Sequence, residues 1–350
     1  MAAELASPRD MAVARMPFLS ARQRIALVMR VGDAPLRELR LEDVELAVGR
    51  RLDGARWDPD AWERESERDL RFLSAVGGSS YGYFDSGYPA ILRETARPPF
   101  MLYARGRLPD GRRPSVAIVG TRYPTGRGLE AALALAMEAA AEGVQVVSGL
   151  ARGIDSAAHR GAVAAGGRTF AVLGRGIDAV YPASNKELAA RMVDAGGGIT
   201  SEYPPGTPPS RWTFPERNRI LAGLCRSTVV VEAPGGSGAL ISAAFALEEG
   251  RDVYVASACA GGPRSAGSDA LAADGALTLS SFGDIIEDWR YGDKRYGDKR
   301  CGDKRGGAYE PGCFYALAWR PGERRRRAPL RRPNRTRPRS PANGRTSRRT

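Results

Sequence analysis

The sequence predicts an α/β protein: a parallel sheet covered by helices on both faces, with a small helical domain before it and a basic tail after it. Three observations predict this. From Ser115 onward, short β-branched runs alternate with Ala-rich stretches of helical length. The runs, such as 116–119 (Val-Ala-Ile-Val), are nearly continuously apolar rather than apolar at every second position, as expected of parallel strands buried on both faces. Several of the runs end in glycine-rich loops, where the ligand crevice of such a sheet lies.

The elements follow in order. Residues 1–75 read as a helical domain, with Ile25, Leu27, Val28 and Val31, then Leu36, Leu39 and Val44, spaced among Arg and Glu. Gly77-Gly78 breaks the pattern. Residues 76–112, rich in aromatics and proline, read as an extended connector. The core is expected over 113–289. Its strands fall at 116–119, 144–148, 169–173, 199–201, 228–232, 252–255 and 276–279, and its helices at 129–142, 156–165, 185–195, 216–222, 239–249, 268–273 and 281–288. Residues 290–350 contain a triplicated five-residue unit, Tyr-Gly-Asp-Lys-Arg twice and Cys-Gly-Asp-Lys-Arg once, and then Pro- and Arg-rich sequence. Such a composition predicts a disordered basic tail.

The net charge of +13 belongs to that tail. Residues 321–350 hold twelve arginines and one acid, leaving 41 basic against 39 acidic residues elsewhere. Nucleic-acid binding by the core therefore has to be argued from its loops and not from the global charge. The tail reads as a solvated extension or as an auxiliary electrostatic clamp on phosphates. Four widely spaced cysteines without a C-x-x-C suit neither a zinc site nor a disulfide framework, and a single histidine, His159, excludes a multi-histidine metal centre. No apolar run is long enough to cross a bilayer and no signal peptide is evident, so a cytoplasmic protein is expected.

The loops carry the chemistry. The first strand runs into Gly120-Thr121-Arg122, where a helix N-terminus and a guanidinium suit a phosphate. The pattern is not G-x-G-x-x-G, and Ser148 stands where a ribose-binding acid would, so a redox dinucleotide is disfavoured. The second strand ends in Ser148-Gly149, and Asp155 reads as an N-cap. Asp155 and His159 stand four apart, more a helix pair than part of a hydrolytic triad, because no serine lies in a G-x-S-x-G elbow. Farther on, Arg211, Arg217 and Arg219 surround Trp212 and Phe214. Arginines among aromatics are what a single strand needs, phosphates being neutralised and bases stacked. Arg217 and Arg219 point to different helix faces, so one of them has a competing assignment, an ion pair with Glu202 or Glu232. Glu232 leads into Pro234-Gly-Gly-Ser-Gly238, a second glycine-rich helix start.

Together these loops resemble the bacterial DNA-processing protein A (DprA, or Smf) family. The likeness rests on Ala117-Ile-Val-Gly-Thr-Arg122, Val147-Ser-Gly-Leu-Ala-Arg-Gly-Ile-Asp155, Ala157-Ala-His-Arg-Gly161, Ala171-Val-Leu-Gly174 with Asp178 and Tyr181-Pro182, Ser201-Glu-Tyr-Pro-Pro-Gly206, Phe214-Pro-Glu-Arg-Asn-Arg-Ile220 and Val230-Val-Glu-Ala233 with Ser237-Gly238. It spans roughly residues 82–289. The resemblance implies an extended Rossmann-like core that binds single-stranded DNA without enzymatic turnover or cofactor. It also implies a homodimer that delivers incoming DNA to a RecA-type recombinase in natural transformation. Carried over by position, the implied DNA-binding residues are Gly120, Arg122, Ser148, Gly149, Arg211, Phe214, Arg217, Asn218, Ser237 and Gly238. Two stretches depart from the family pattern: 257–262, and Gly267-Ser268-Asp269, which sets an acid beside the implied DNA path. A winged-helix domain found in many members is replaced by the repeat and the tail. The alternative is a nucleotide-binding or nucleoside monophosphate phosphoribohydrolase-like protein, suggested by Pro234-Gly-Gly-Ser-Gly238. That chemistry needs a carboxylate where Ser242 stands.

Overall fold

The computed structural model describes residues 4–297. A nine-stranded sheet runs through it: β1 (Gly78–Gly82), β2 (Met101–Gly106), β3 (Ser115–Val119), β4 (Gln145–Ser148), β5 (Thr169–Val172), β6 (Gly198–Ser201), β7 (Ser227–Val230), β8 (Asp252–Ala256) and β9 (Leu277–Leu279). The order across the sheet is β1-β2-β6-β5-β4-β3-β7-β8-β9. Strands β3 to β9 are parallel, and each of the seven expected runs supplies one of them.

Period-two geometry divides each strand between two cores. Val116 and Ile118 of β3 face α6 (Gly126–Ala141), α7 (Ile154–Ala164) and α12 (Phe282–Gly297). Ala117 and Val119 face the opposite layer, α9 (Thr213–Gly223) and α10 (Gly238–Glu248). Toward the β6 side, Leu188 and Met192 of α8 (Lys186–Asp194) pack on Ala171 and Ile199. The sheet is thus covered on both faces, as its apolar strands require.

The segment 76–112 is not a plain connector. It contributes β1, the short helix α5 (Ala90–Arg93) and β2, and β2 pairs antiparallel with both β1 and β6. The sheet is therefore mixed at this edge. One of the two pairings of β2 is long-range, Tyr103 opposite Ser201, and the local aromatic and proline pattern does not reveal it.

Four helices precede the sheet: α1 (Pro8–Arg15), α2 (Ala21–Val31), α3 (Leu41–Val48) and α4 (Pro59–Val76). Ser7, Ser20 and Asp58 cap α1, α2 and α4 through their side-chain oxygens. Met11, Val13, Leu27, Val44 and Leu73 share one core with Phe100, Met101 and Tyr103 of the sheet edge and with Ile177 of the loop after β5. The helices are thereby packed against the antiparallel edge. At the other end, α12 continues to Gly297 and so passes the expected boundary at 289. Trp289 is buried, its Nε1–H donating to Ser227 Oγ at 2.9 Å. The expected disordered tail otherwise lies outside the described residues. Among the described residues, no helix is long and apolar enough to cross a membrane.

Candidate nucleic-acid interface

The strand order reverses between β3 and β7, which is where an open α/β sheet forms its crevice. Here that crevice is filled from within. Glu232, at the end of β7, is buried, and its carboxylate accepts hydrogen bonds from Thr125 N–H (2.8 Å) and Thr125 Oγ1–H (3.0 Å). Thr125 in turn caps α6, with Gly128 N–H donating to its Oγ1 at 3.1 Å. The helix start expected to receive a phosphate thus already holds a carboxylate, an internal anion in the same electrostatic position. A Cβ at Gly128 would strike that carboxylate. Gly120 is likewise needed for packing, since a Cβ there would collide with Ile154 and the Glu232 carbonyl. The close approach inferred for Gly120 is real, but its partner is protein.

The same holds for the second loop. Ser148 is fully buried and donates to Ile118 O at 2.6 Å. Arg217, on α9, is also buried. Its guanidinium donates to Gly149 O, Val172 O and Asn218 Oδ1, and lies 3.9 Å from Asp155. A side chain at Gly149 would fall on that guanidinium. Arg217 and Gly149 therefore tie α9 to the carboxyl ends of β4 and β5 and do not present a free cation. Asp155 is the second residue of α7 and not its N-cap. It reaches back to Ala151 N–H at 3.3 Å, and burial pushes its carboxyl above the ordinary range in spite of Arg217. Asn218 Nδ2–H donates to Gly238 O at 3.2 Å, linking α9 to the start of α10. Of the expected ion pairs, Arg219 with Glu202 forms, whereas Glu232 pairs with neither arginine.

His159 is buried and bonded to Thr169, not to Asp155. Its Nδ1 lies 2.7 Å from Thr169 Oγ1, whose own hydrogen goes to Val146 O at 2.9 Å. Thr169 must then accept, so Nδ1 carries the ring proton. Burial, together with the charges of Arg217 and Arg160, pushes the imidazole pKa down to about 3.

What remains exposed is a set of aromatic rings with guanidiniums on them. Arg122 is exposed and stands over the Phe214 ring, 5.5 Å from its centroid. Phe214 is half-buried, and its other neighbour is Tyr181, with centroids 5.7 Å apart and planes tilted by 50°. Arg211 covers Trp212 at 4.6 Å. Trp212 is 68% exposed, Tyr123 66% and Tyr181 49%. Grouped at one end of the sheet, these rings offer faces on which a base can stack. Tyr181 is absent from the ten residues that the family resemblance implies, although its place in the loop after β5 was a usable signal. The fold brings it to Phe214 through Gly174, where a Cβ would meet the backbone of Thr213 and Phe214.

The glycine-rich start of α10 is open. A Cβ added at Gly235, Gly236 or Gly238 would meet no heavy atom within 4 Å, and Ser237 caps the helix by accepting from Ala239 N–H at 3.3 Å. Asp269, expected as an acid beside the DNA path, is turned inward on its own loop. It accepts from Ser265 Oγ–H (2.6 Å) and Gly261 N–H (3.2 Å). Ser242, where the alternative enzyme needs a carboxylate, is buried in α10.

A sequence profile of the DNA recombination-mediator protein A family matches residues 80–290. The chain belongs to this family. Among its relatives, the DNA processing protein DprA of Streptococcus pneumoniae is 36% identical over 278 residues, covering 77% of this chain and 94% of that protein. The Smf protein of Synechocystis is 48% identical over 174 residues, a stretch covering 49% of this chain and 44% of that protein. The X-ray structure of the Streptococcus pneumoniae protein superposes with a TM-score of 0.66 at 33% identity, covering 81% of this chain and 98% of that one. A Helicobacter pylori DNA processing protein A, described for its single-stranded DNA binding mode, gives a TM-score of 0.54 at 26% identity over 62% of this chain and 98% of that one. The family match contains β2 and the whole array of exposed rings.

Proposed function

We propose that this member of the recombination-mediator family binds single-stranded DNA at the carboxyl edge of its sheet. We further propose that it delivers that strand to a RecA-type recombinase during DNA-mediated transformation, as a cytoplasmic homodimer and without catalytic turnover. The observation that carries the binding step is the Arg122–Phe214–Tyr181 stack, beside Arg211 on Trp212. It combines phosphate-neutralising cations with solvent-facing rings, and duplex DNA keeps its base faces covered. The single-stranded DNA binding mode of the Helicobacter relative supports the same ligand class. Of the ten expected contacts, Arg122, Arg211 and Phe214 are the side chains placed to touch a strand, with Ser237 and Gly238 on an open loop. Gly120, Ser148, Gly149, Arg217 and Asn218 build the scaffold beneath them.

The test is a salt-titrated comparison of single-stranded and duplex oligonucleotides. Single strands are expected to bind more tightly at every salt concentration, and equal affinity at moderate salt would defeat the stacking reading. Single variants separate the two kinds of contact. Arg122→Ala is expected to weaken binding and to reduce the slope of log K against log salt by about 0.7, one single-strand phosphate. Phe214→Ala is expected to cost about 1–3 kcal/mol of binding with the slope nearly unchanged. If Phe214→Ala instead lowers stability by about 3–5 kcal/mol, the ring is core and not platform.

Removal of residues 298–350 tests the tail. The cut is placed after α12 because Trp289 and its helix belong to the core. The shortened chain is expected to fold, to keep single-strand binding and to show a flatter salt dependence, since fewer phosphates are neutralised. Complete loss of binding would move the site into the tail.

A further inference from the structure

The loop after β6, residues 202–212, carries Arg211 and Trp212 to the mouth of the site, and two separate parts of the fold hold it. At its start, Glu202 bonds to Arg219 of α9. In its middle, Pro205 O accepts a hydrogen bond from Arg15 Nη2–H at 3.0 Å, a contact between residues 190 apart in sequence. Arg15 is the last residue of α1, and its guanidinium is already forked onto Asp69 of α4, with Nε–H donating to Oδ2 at 2.9 Å and Nη2–H to Oδ1. Asp69 is 2% exposed. A buried carboxylate with a bidentate arginine is a costly arrangement to keep merely for stability, because apolar residues of similar size commonly serve as well. What the pair adds is direction. With Asp69 fixing the plane of the fork, the second N–H of Nη2 is aimed at one carbonyl of the loop.

From Pro205 the contact is passed on. Gly206 N–H donates to Asp178 Oδ1 at 2.8 Å, and Gly176 N–H donates to Thr207 O at 3.0 Å, which joins this loop to the one after β5 that carries Tyr181. Ile177 of that second loop is buried in the core of the helical segment. Both loops that present rings to the candidate site thus rest on the N-terminal helices.

We propose that the Arg15–Asp69 pair is a positioning latch through which the N-terminal helices hold residues 202–212 in the shape that presents Arg211 and Trp212 to a nucleic-acid strand. Arg15 and Asp69 do not touch the strand; they act through the Pro205 carbonyl. The purpose assigned to the latch rests on the single-strand reading above, whereas its mechanical action does not.

The experiment uses the full chain with Arg15→Lys, which keeps the charge but not the fork, and with the double variant Arg15→Met/Asp69→Leu, which removes both charges together and leaves no buried carboxylate unpaired. Amide hydrogen exchange is followed in peptides covering 202–214, and affinity is measured for a short oligothymidylate. Both variants are expected to exchange faster across 202–214, with β3 and β4 unchanged, and to bind about three- to tenfold more weakly. On an Arg211→Ala background the affinity effect is expected to shrink toward nothing, and on an Arg122→Ala background to persist in full. Parent-like exchange in both variants would overturn the latch, and so would a full, additive affinity loss on top of Arg211→Ala. A parent chain that binds no oligothymidylate would instead overturn the single-strand reading on which the purpose rests.

Discussion

Replacing Arg217 by methionine is expected to destabilise the fold by about 3–5 kcal/mol, the range found when one partner of a buried charged pair is removed. The guanidinium satisfies the carbonyls of Gly149 and Val172 and the side chain of Asn218, and faces Asp155 at 3.9 Å. Methionine fills much of the volume and supplies no donor. Two strand-end carbonyls would lose a donor and a buried carboxyl its counter-charge together, at a buried site. A further change of Asp155 to leucine is expected to restore part of the loss, because the uncompensated carboxyl is removed with it. Chemical denaturation at neutral pH measures both. If Arg217→Met unfolds like the parent and has lost only oligonucleotide binding, the side chain belongs to the strand path after all. Gly149→Ala probes the same contact from the other side and is expected to destabilise as well, since the new methyl falls on the guanidinium.

This residue also shows where reading the sequence succeeds and where it stops. The parallel strands were legible because most are nearly continuous apolar runs, β6 and β9 being the exceptions, and α6 to α12, including α11 (Ala266–Ala273), because helical stretches fill the gaps between them. The arginines near Phe214 were legible as a cluster, but not which of them faces water. That is decided by α9 crossing the carboxyl ends of β4 and β5, which buries Arg217 and leaves Arg211, before the helix, exposed. Glu232 was legible as a possible ion-pair partner and turned out to fill the switch-point crevice, a role that depends on β7 returning beside β3. Leu150 adopts a left-handed backbone conformation (φ 55°), held by its buried side chain and by Asn185 Nδ2–H donating to its carbonyl at 2.8 Å. Nothing in the local sequence signals that conformation, because both supports are tertiary. The same limit applies to the pairing of β2 with β6, a strand that begins almost a hundred residues later.

A loss of stability in mild acid is expected from His159 alone. In the unfolded chain the imidazole takes up a proton near pH 6.5, whereas in the folded chain it does so only near pH 3. Between those values the unfolded state binds the extra proton, so the contribution of this residue is complete above pH 6.5 and falls as pH drops, by about 1.4 kcal/mol per pH unit. At pH 5 that amounts to about 2 kcal/mol. The structure explains why the folded state refuses the proton. Nδ1–H is spent on Thr169, and Nε2 is buried without a hydrogen-bond partner, so protonation would bury a charge and an unmatched donor together. Other buried groups titrate in the opposite sense. Burial raises the carboxyls of Asp155 and Glu202, so the folded state takes up their protons first and gains from acid. The effect of His159 is therefore isolated by comparison with His159→Asn, which retains a donor for Thr169 and does not titrate. The stability difference between parent and variant is expected to move in favour of the variant by about 2 kcal/mol between pH 7 and pH 5, read from urea midpoints at each pH. Parallel curves over that range would mean that the folded chain admits the proton and that the ring has an acceptor or water within reach.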